Sequence, residues 1–219
     1  PVFPSLCDPF DNEVPDEWRG DFWRLIRATP NLTWLLLTKR IGNVAKMHPG
    51  GDYENVWLGS TIVNQPEADR ALQTLIAVRG VAKLFVSYEP ALGPVDFTEW
   101  LCGGIPTTAQ IDGERWAHYL RHGAPRLDQI IIGGESSQGG KKARPFDIEW
   151  ARSTVRQCKA AGVACFVKQL GSHPMDIPPP PPDGHYICPR TRWKRNFMDR
   201  AGADPAEWPE DLKVQEWPA

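Results

Sequence analysis

Apolar runs that stop abruptly in polar residues recur along this chain and constrain its fold more than any other feature. WLLLTKR (34–40), VWLGST (56–61), LFVSYEP (84–90), IIIGGES (130–136) and CFVKQLG (165–171) share the pattern, and VFPSLCD (2–8) opens the chain with a sixth. Unbroken runs of Val, Ile, Leu and Phe bounded by turn residues suit strands buried on both faces, as in parallel sheets. Helical spacings lie between them. Pro15-Asp16 precedes an apolar stripe at Trp18, Phe22, Leu25 and Ile26 that Pro30 stops. Asn64 caps a helix burying Ala68, Leu72, Leu75 and Ile76 ahead of Gly80, and Asp147 caps one carrying Ile148, Ala151, Val155 and Cys158 ahead of Gly162. Alternating strands and helices with short connections predict right-handed βαβ units in an α/β fold. At least six parallel strands favour a barrel or partial barrel, with a doubly wound open sheet as the rival.

Residues 1–171 carry this rhythm, interrupted at 91–127 by an insertion with Trp100, Cys102, Gly103-Gly104, Trp116, His118 and His122. The insertion is long for a bare connection and reads as a lid or specificity loop, mobile on its own. Residues 172–219 form a tail that packs on the barrel. Pro178 to Pro182 favour an extended conformation there, followed by the basic cluster Arg190, Arg192, Lys194 and Arg195 and the acidic end DPAEWPEDLKVQEW.

A chain of 219 residues, 41% of them hydrophobic, can bury the core of one α/β domain. Lys and Arg number 25 against 27 for Asp and Glu, so the net charge of -2 supplies no global attraction to nucleic acid or acidic membrane. The five Cys, at 7, 102, 158, 165 and 188, contain no CxxC pair and are odd in number, which argues against a disulfide framework or a self-contained zinc site. The five His offer neither HxH nor HExxH spacing, so no metal site is expected. No run reaches the roughly 20 apolar residues of a membrane span. The expected compartment is the cytoplasm. A chain that opens Pro-Val-Phe-Pro and enters a strand at once also suggests a missing N-terminal piece.

Where parallel strands end, side chains converge on one rim, which in barrels is the active face. The candidate contacts are therefore the polar endings. Ser5 and Asp8 follow the first run, and Lys39 belongs to an adjacent pair with Arg40 of which strand alternation sends only one inward. Ser60 ends the next run. Ser87 and Glu89 share a face by the two-residue period, open either to a ligand or to a structural ion pair. In IIIGGES, Gly133 and Gly134 permit close backbone approach to a ligand, with Glu135 as acceptor and Ser136 as hydroxyl. The loop beyond, Gly139 to Arg144, lacks a phosphate-loop pattern and reads as solvated. Lys168 and Gln169 complete the rim in a binding role.

The ordered string SLCDPF, WLLLTKR, NVWLGSTI, FVSYEPALGPVD, IIIGGES, QCKAAGV, FVKQLG and DPAEWPEDL resembles the phage and prophage gene-product 37/68 family, which is related to the radical S-adenosylmethionine (SAM) superfamily. The resemblance spans essentially the whole chain. It implies a partial TIM-type barrel, SAM as a small-molecule cofactor across the strand ends, and a [4Fe–4S] cluster held by a cysteine loop upstream of the segment seen here. None of the five Cys fits that three-cysteine spacing. Two functions follow as expectations. One is a radical enzyme with a substrate related to nucleotides or nucleic acid. The other is a cluster-free module that binds nucleotide or nucleic acid through the rim and the tail cluster Arg190 to Arg195, with no membrane partner in either case.

Overall fold

The computed structural model describes residues 1–4, 7–101, 126–176 and 193–218. Ser5, most of the 91–127 insertion with Cys102, Trp116, His118 and His122, the Pro178 to Pro182 run, Cys188, Arg190 and Arg192 lie outside the described residues. Elements follow one another as α1 (Asp16–Ala28), β1 (Trp34–Thr38), α2 (Ile41–Met47), β2 (Tyr53–Thr61), α3 (Gln65–Ile76), β3 (Val81–Tyr88), α4 (Thr98–Leu101), β4 (Gln129–Gly133), β5 (Phe146–Asp147), α5 (Ile148–Ala161), β6 (Ala164–Gln169), β7 (Pro174–Asp176) and β8 (Trp193–Lys194). No helix among them is long and apolar enough to cross a membrane.

All five long apolar runs are strands of one parallel sheet, in the order β1-β2-β3-β4-β6. Strand order follows chain order, without the reversal that defines the switch point of a doubly wound sheet. Among its described residues the opening run forms no sixth strand: Val2 makes a single parallel bridge to Trp34, donating to Thr33 O at 2.7 Å and accepting from Leu35 N at 2.9 Å. Pro4 has no N–H to continue a ladder, and its carbonyl instead accepts from Cys7 N at 3.1 Å. A second, small sheet joins β5, β7 and β8.

Register sorts the strand residues onto two faces. One face carries Leu36, Leu58, Val86, Ile130, Ile132, Cys165 and Val167, which share a single core with residues of α1, α2, α3 and α5. On α3 the buried residues are the four expected, Ala68, Leu72, Leu75 and Ile76, and Asn64 Oδ1 accepts from Glu67 N at 3.1 Å. Asp147 likewise caps α5 by accepting from Glu149 N at 3.0 Å, and Gly162 ends it at φ 65° in the left-handed region.

α1 corrects the expected stripe: Arg19, Trp23 and Ile26 are buried, whereas Trp18 and Leu25 are exposed. The face rotates because Arg19 is needed inward. Its guanidinium donates to the carbonyls of Pro9, Asp11 and Val14 and so pins the loop that leads to α1. The short helix α2, buried at Ile41 and Val44, is an element the sequence reading did not include.

The other face carries Leu35, Trp57, Phe85, Ile131 and Phe166. Trp217 from the tail sits with its ring 6.0 Å from Trp57 and 5.5 Å from Phe166. The tail reaches this position by pairing with the β6 edge: Val167 N donates to Val214 O at 2.8 Å and Glu216 N to Cys165 O at 2.9 Å. An edge strand is thereby covered. The described ends of the 91–127 insertion are packed rather than loose, with Val95, Phe97, Trp100, Leu101 and Leu127 buried.

Gly59 lies opposite Phe85 on this face, and a Cβ there would meet the Phe85 ring at 2.4 Å. Gly59→Ala therefore forces Phe85, itself fully buried, out of place. The expected cost is about 1–3 kcal/mol, read as a lowered denaturant midpoint with unchanged slope.

Candidate functional site

The sheet's C-terminal edge begins with Asp8, which acts as a latch. Its Oδ2 accepts from Thr38 Oγ1 at 3.0 Å and from Lys39 N at 3.2 Å, while Oδ1 accepts from Phe10 N at 3.0 Å. Both Lys39 and Arg40 are exposed, so alternation does not separate them. The strand ends at Thr38, and Arg40 already precedes α2. Arg40 pairs with Asp11 at 2.9 Å, whereas Lys39 has no ionic partner among the described residues. Ser60 is buried at the end of β2.

Glu89 occupies the middle of the rim. Its carboxylate accepts from Ser87 Oγ at 3.2 Å, as the shared face requires, and from Lys168 Nζ at 3.3 Å. Strands β3 and β6 are separated by β4, about 10 Å apart at ordinary strand spacing. The two side chains meet because β4 ends in glycine at this level. A Cβ on Gly133 would lie 2.6 Å from Glu89 Oε1 and 3.3 Å from Gln169 Cγ. The Glu89–Pro90 peptide is cis, where the sequence led only to an extended backbone before proline.

The second glycine is also occupied by protein. A Cβ on Gly134 would meet Leu170 O at 2.6 Å, and one on Gly171 would meet Glu135 O at 2.7 Å. These glycines let the chain segments after β4 and β6 pass at backbone contact, a different use of the missing Cβ from approach to a ligand. Gln169 Nε2 ties the same crossing by donating to Gly134 O at 2.7 Å and Ser136 Oγ at 3.0 Å. Glu135 points away from this crossing. It is clamped by Arg144, whose Nε and Nη2 donate at 2.9 and 2.8 Å while its backbone N donates at 2.9 Å. These bonds hold the Glu135 carboxyl well below the usual range, at about 2.

Two cavities of about 470 Å3 each open on this rim and share Glu89 and Pro90 as their common wall. One lies between Lys39, Arg40, Ser60, Thr61, Glu67 and Arg70; the other lies between Gly134, Glu135, Ser136, Lys141, Lys142, Lys168 and Gln169. A third, of about 450 Å3, adjoins at Ser136 and is lined by Ser172, Lys194, Arg195 and Arg200. Of the predicted residues, Lys39, Ser60 and Glu89 line the first, and Glu89, Gly134, Glu135, Ser136, Lys168 and Gln169 line the second. Asp8, Ser87 and Gly133 stand behind them.

Sequence reasoning left out Thr61, Glu67 and Arg70 and read Lys141, Lys142 and Arg144 as a solvated loop. Arg70 lies on the α3 surface between the buried positions, where periodicity reports only solvent exposure. Nothing local marks Arg144 as the partner of a carboxylate nine residues earlier. Among the described residues no group of three or more His, Cys, Asp and Glu is placed to hold a metal. Cys158 and Cys165 are buried in the core, where a mutual hydrogen bond first, and burial second, push the Cys158 thiol up.

Removing the guanidinium in Arg144→Met returns the Glu135 titration from about 2 toward the ordinary carboxylate range, measurable by carboxyl-carbon NMR. The folded-state value is depressed, so this pair stabilises the protein above the unfolded carboxylate pKa. That contribution is lost as pH falls toward about 2, and the variant lacks this part of the acid sensitivity. Lys168→Met should change the unfolding free energy by less than about 1 kcal/mol in a denaturant titration, because Lys168 is 55% exposed.

No curated protein and no solved structure matches this chain. Over residues 2–207 it matches DUF5131, a protein family of unknown function, and the chain belongs to that family.

Proposed function

We propose that this chain is the partial TIM-type barrel of a radical-SAM-related phage or prophage protein and that its rim binds SAM. The observation that carries the reading is Glu89, held between Ser87 and Lys168 at the wall shared by two cavities of ligand size. Sequential parallel strand order supports the barrel geometry, in which ligands sit at this edge.

The rim fits the chemistry of a sulfonium nucleoside that carries a free α-amino acid. Glu89 accepts from a cationic amino group, Lys39 and Lys168 face a carboxylate, and the hydroxyls of Thr61 and Ser136 and the Gln169 amide offer polar contacts to a ribose. When bound, SAM would supply an alkyl group to a nucleophile or, on one-electron reduction by a separate donor, an alkyl radical. The [4Fe–4S] cluster does not fit the described residues: Cys7 is exposed and isolated, Cys158 and Cys165 are buried together in the core, and no three-residue ligand set exists among them. No step is therefore assigned to a cluster on this chain. The alternative is a cluster-free module that binds nucleotide or nucleic acid through the rim and the tail cluster, and the described part of that cluster gives it limited support. Arg195 is paired with Asp176 at 2.9 Å, a carboxylate it shares with Arg152, and Arg190 and Arg192 lie outside the described residues.

Calorimetric titration with SAM tests the proposal. The expected outcome is saturable one-to-one binding, weakened about tenfold or more by Glu89→Gln, the loss of one hydrogen bond to a charged group. Absence of saturable binding, or equal binding by the variant, overturns it. Iron and sulfide analysis of the protein expressed from its complete reading frame without oxygen then separates a radical enzyme from a cluster-free barrel.

A further inference from the structure

The three rim cavities adjoin in a row, the first and second on either side of Glu89 and Pro90 and the second and third meeting at Ser136, and together they make up a rim groove. The groove crosses the ends of β1 through β6, about 19 Å at ordinary strand spacing, and continues over the tail. Its charges are unevenly committed. Each carboxylate along it is engaged: Glu67 by Val63 N at 3.0 Å, Glu89 by Lys168, Glu135 by Arg144, and Asp199 by the backbone N–H groups of Ala201 and Ala203. Five cations are not. Lys39, Lys141, Lys142, Lys194 and Arg200 are all exposed and have no carboxylate partner among the described residues.

We infer that this groove binds a single-stranded nucleic acid along its phosphate backbone, which would make a strand the substrate-side partner of the proposed barrel. A net charge of -2 does not oppose this, because the surplus is local and follows a line. Unpaired cations strung along a groove longer than one cavity match a ligand with repeated negative charges, where a single phosphate would need only one cluster. Long flexible side chains at an open rim, with one half-buried aromatic in Phe197, suit sequence-tolerant contact with the backbone rather than readout of base edges. The inference rests on the rim reading given above but not on SAM.

Fluorescence anisotropy with a labelled oligothymidylate of about twelve nucleotides tests it. With five phosphate contacts, the slope of log affinity against log salt is about -3.5, so affinity falls about 100-fold between roughly 50 and 200 mM salt. Neutralising Lys39, Lys141 and Lys142 together as glutamine lowers the slope by about 2. Lys194→Gln with Arg200→Gln lowers it independently from the tail side. Lys46→Gln with Lys159→Gln, both away from the groove, leaves it unchanged. No binding at low salt, an unchanged slope in both groove variants, or a duplex of the same length bound as tightly would each overturn the inference. SAM titration of the same proteins reports on the proposed function separately, so failure of one is distinguishable from failure of the other.

Discussion

Glu89 and Lys168 meet across a strand that carries no side chain at their level, and the organisation of the rim depends on that contact. Parallel pairing alone leaves β3 and β6 two spacings apart. Gly133 removes the one Cβ that would separate their side chains, since that atom would fall 2.6 Å from Glu89 Oε1. The ion pair itself is partly exposed and contributes little to stability. Its consequence is positional: Glu89 is fixed at the wall between two cavities, bonded by both the Ser87 hydroxyl and the Lys168 ammonium.

The glycines after β4 and β6 extend the same logic. Gly134, Gly171 and Gly202 pack in sequence, backbone against backbone, with added Cβ atoms meeting Leu170 O at 2.6 Å, Glu135 O at 2.7 Å and Gly171 O at 2.5 Å. Three segments distant in the chain are thereby brought together beneath the groove. Gln169 and the Glu135–Arg144 clamp then fix the loop above them. A rim assembled this way is held by close approach and hydrogen bonds, while its exposed lysines remain uncommitted.

The tail completes the sheet. Its antiparallel pairing to the β6 edge carries Trp217 onto the face opposite the helices, between Trp57 and Phe166. Gln129, fully buried on that face, donates to Glu216 O at 2.8 Å, so the tail also satisfies a polar group that the sheet would otherwise bury unpaired. Its other amide atom, Oε1, has no partner among the described residues.

The sequence by itself determined the five buried strands, the capped helices α3 and α5, and the list of polar residues at the strand ends. Each of these follows from local rules: continuous apolar runs, helical periodicity, and Asn or Asp before a first turn. Local rules failed where a distant partner decides. The α1 face turned toward Arg19 because three loop carbonyls needed a donor, and the opening run lost its ladder at Pro4. The glycines of IIIGGES were legible as close-approach positions, but only the tertiary structure decided that Glu89 and Leu170 fill the space they leave. It also decided that Arg144 holds Glu135 and that lysines from four separate segments line the adjoining rim cavities. Distances between residues far apart in the chain are set by strand order and register, which no local pattern of side chains encodes.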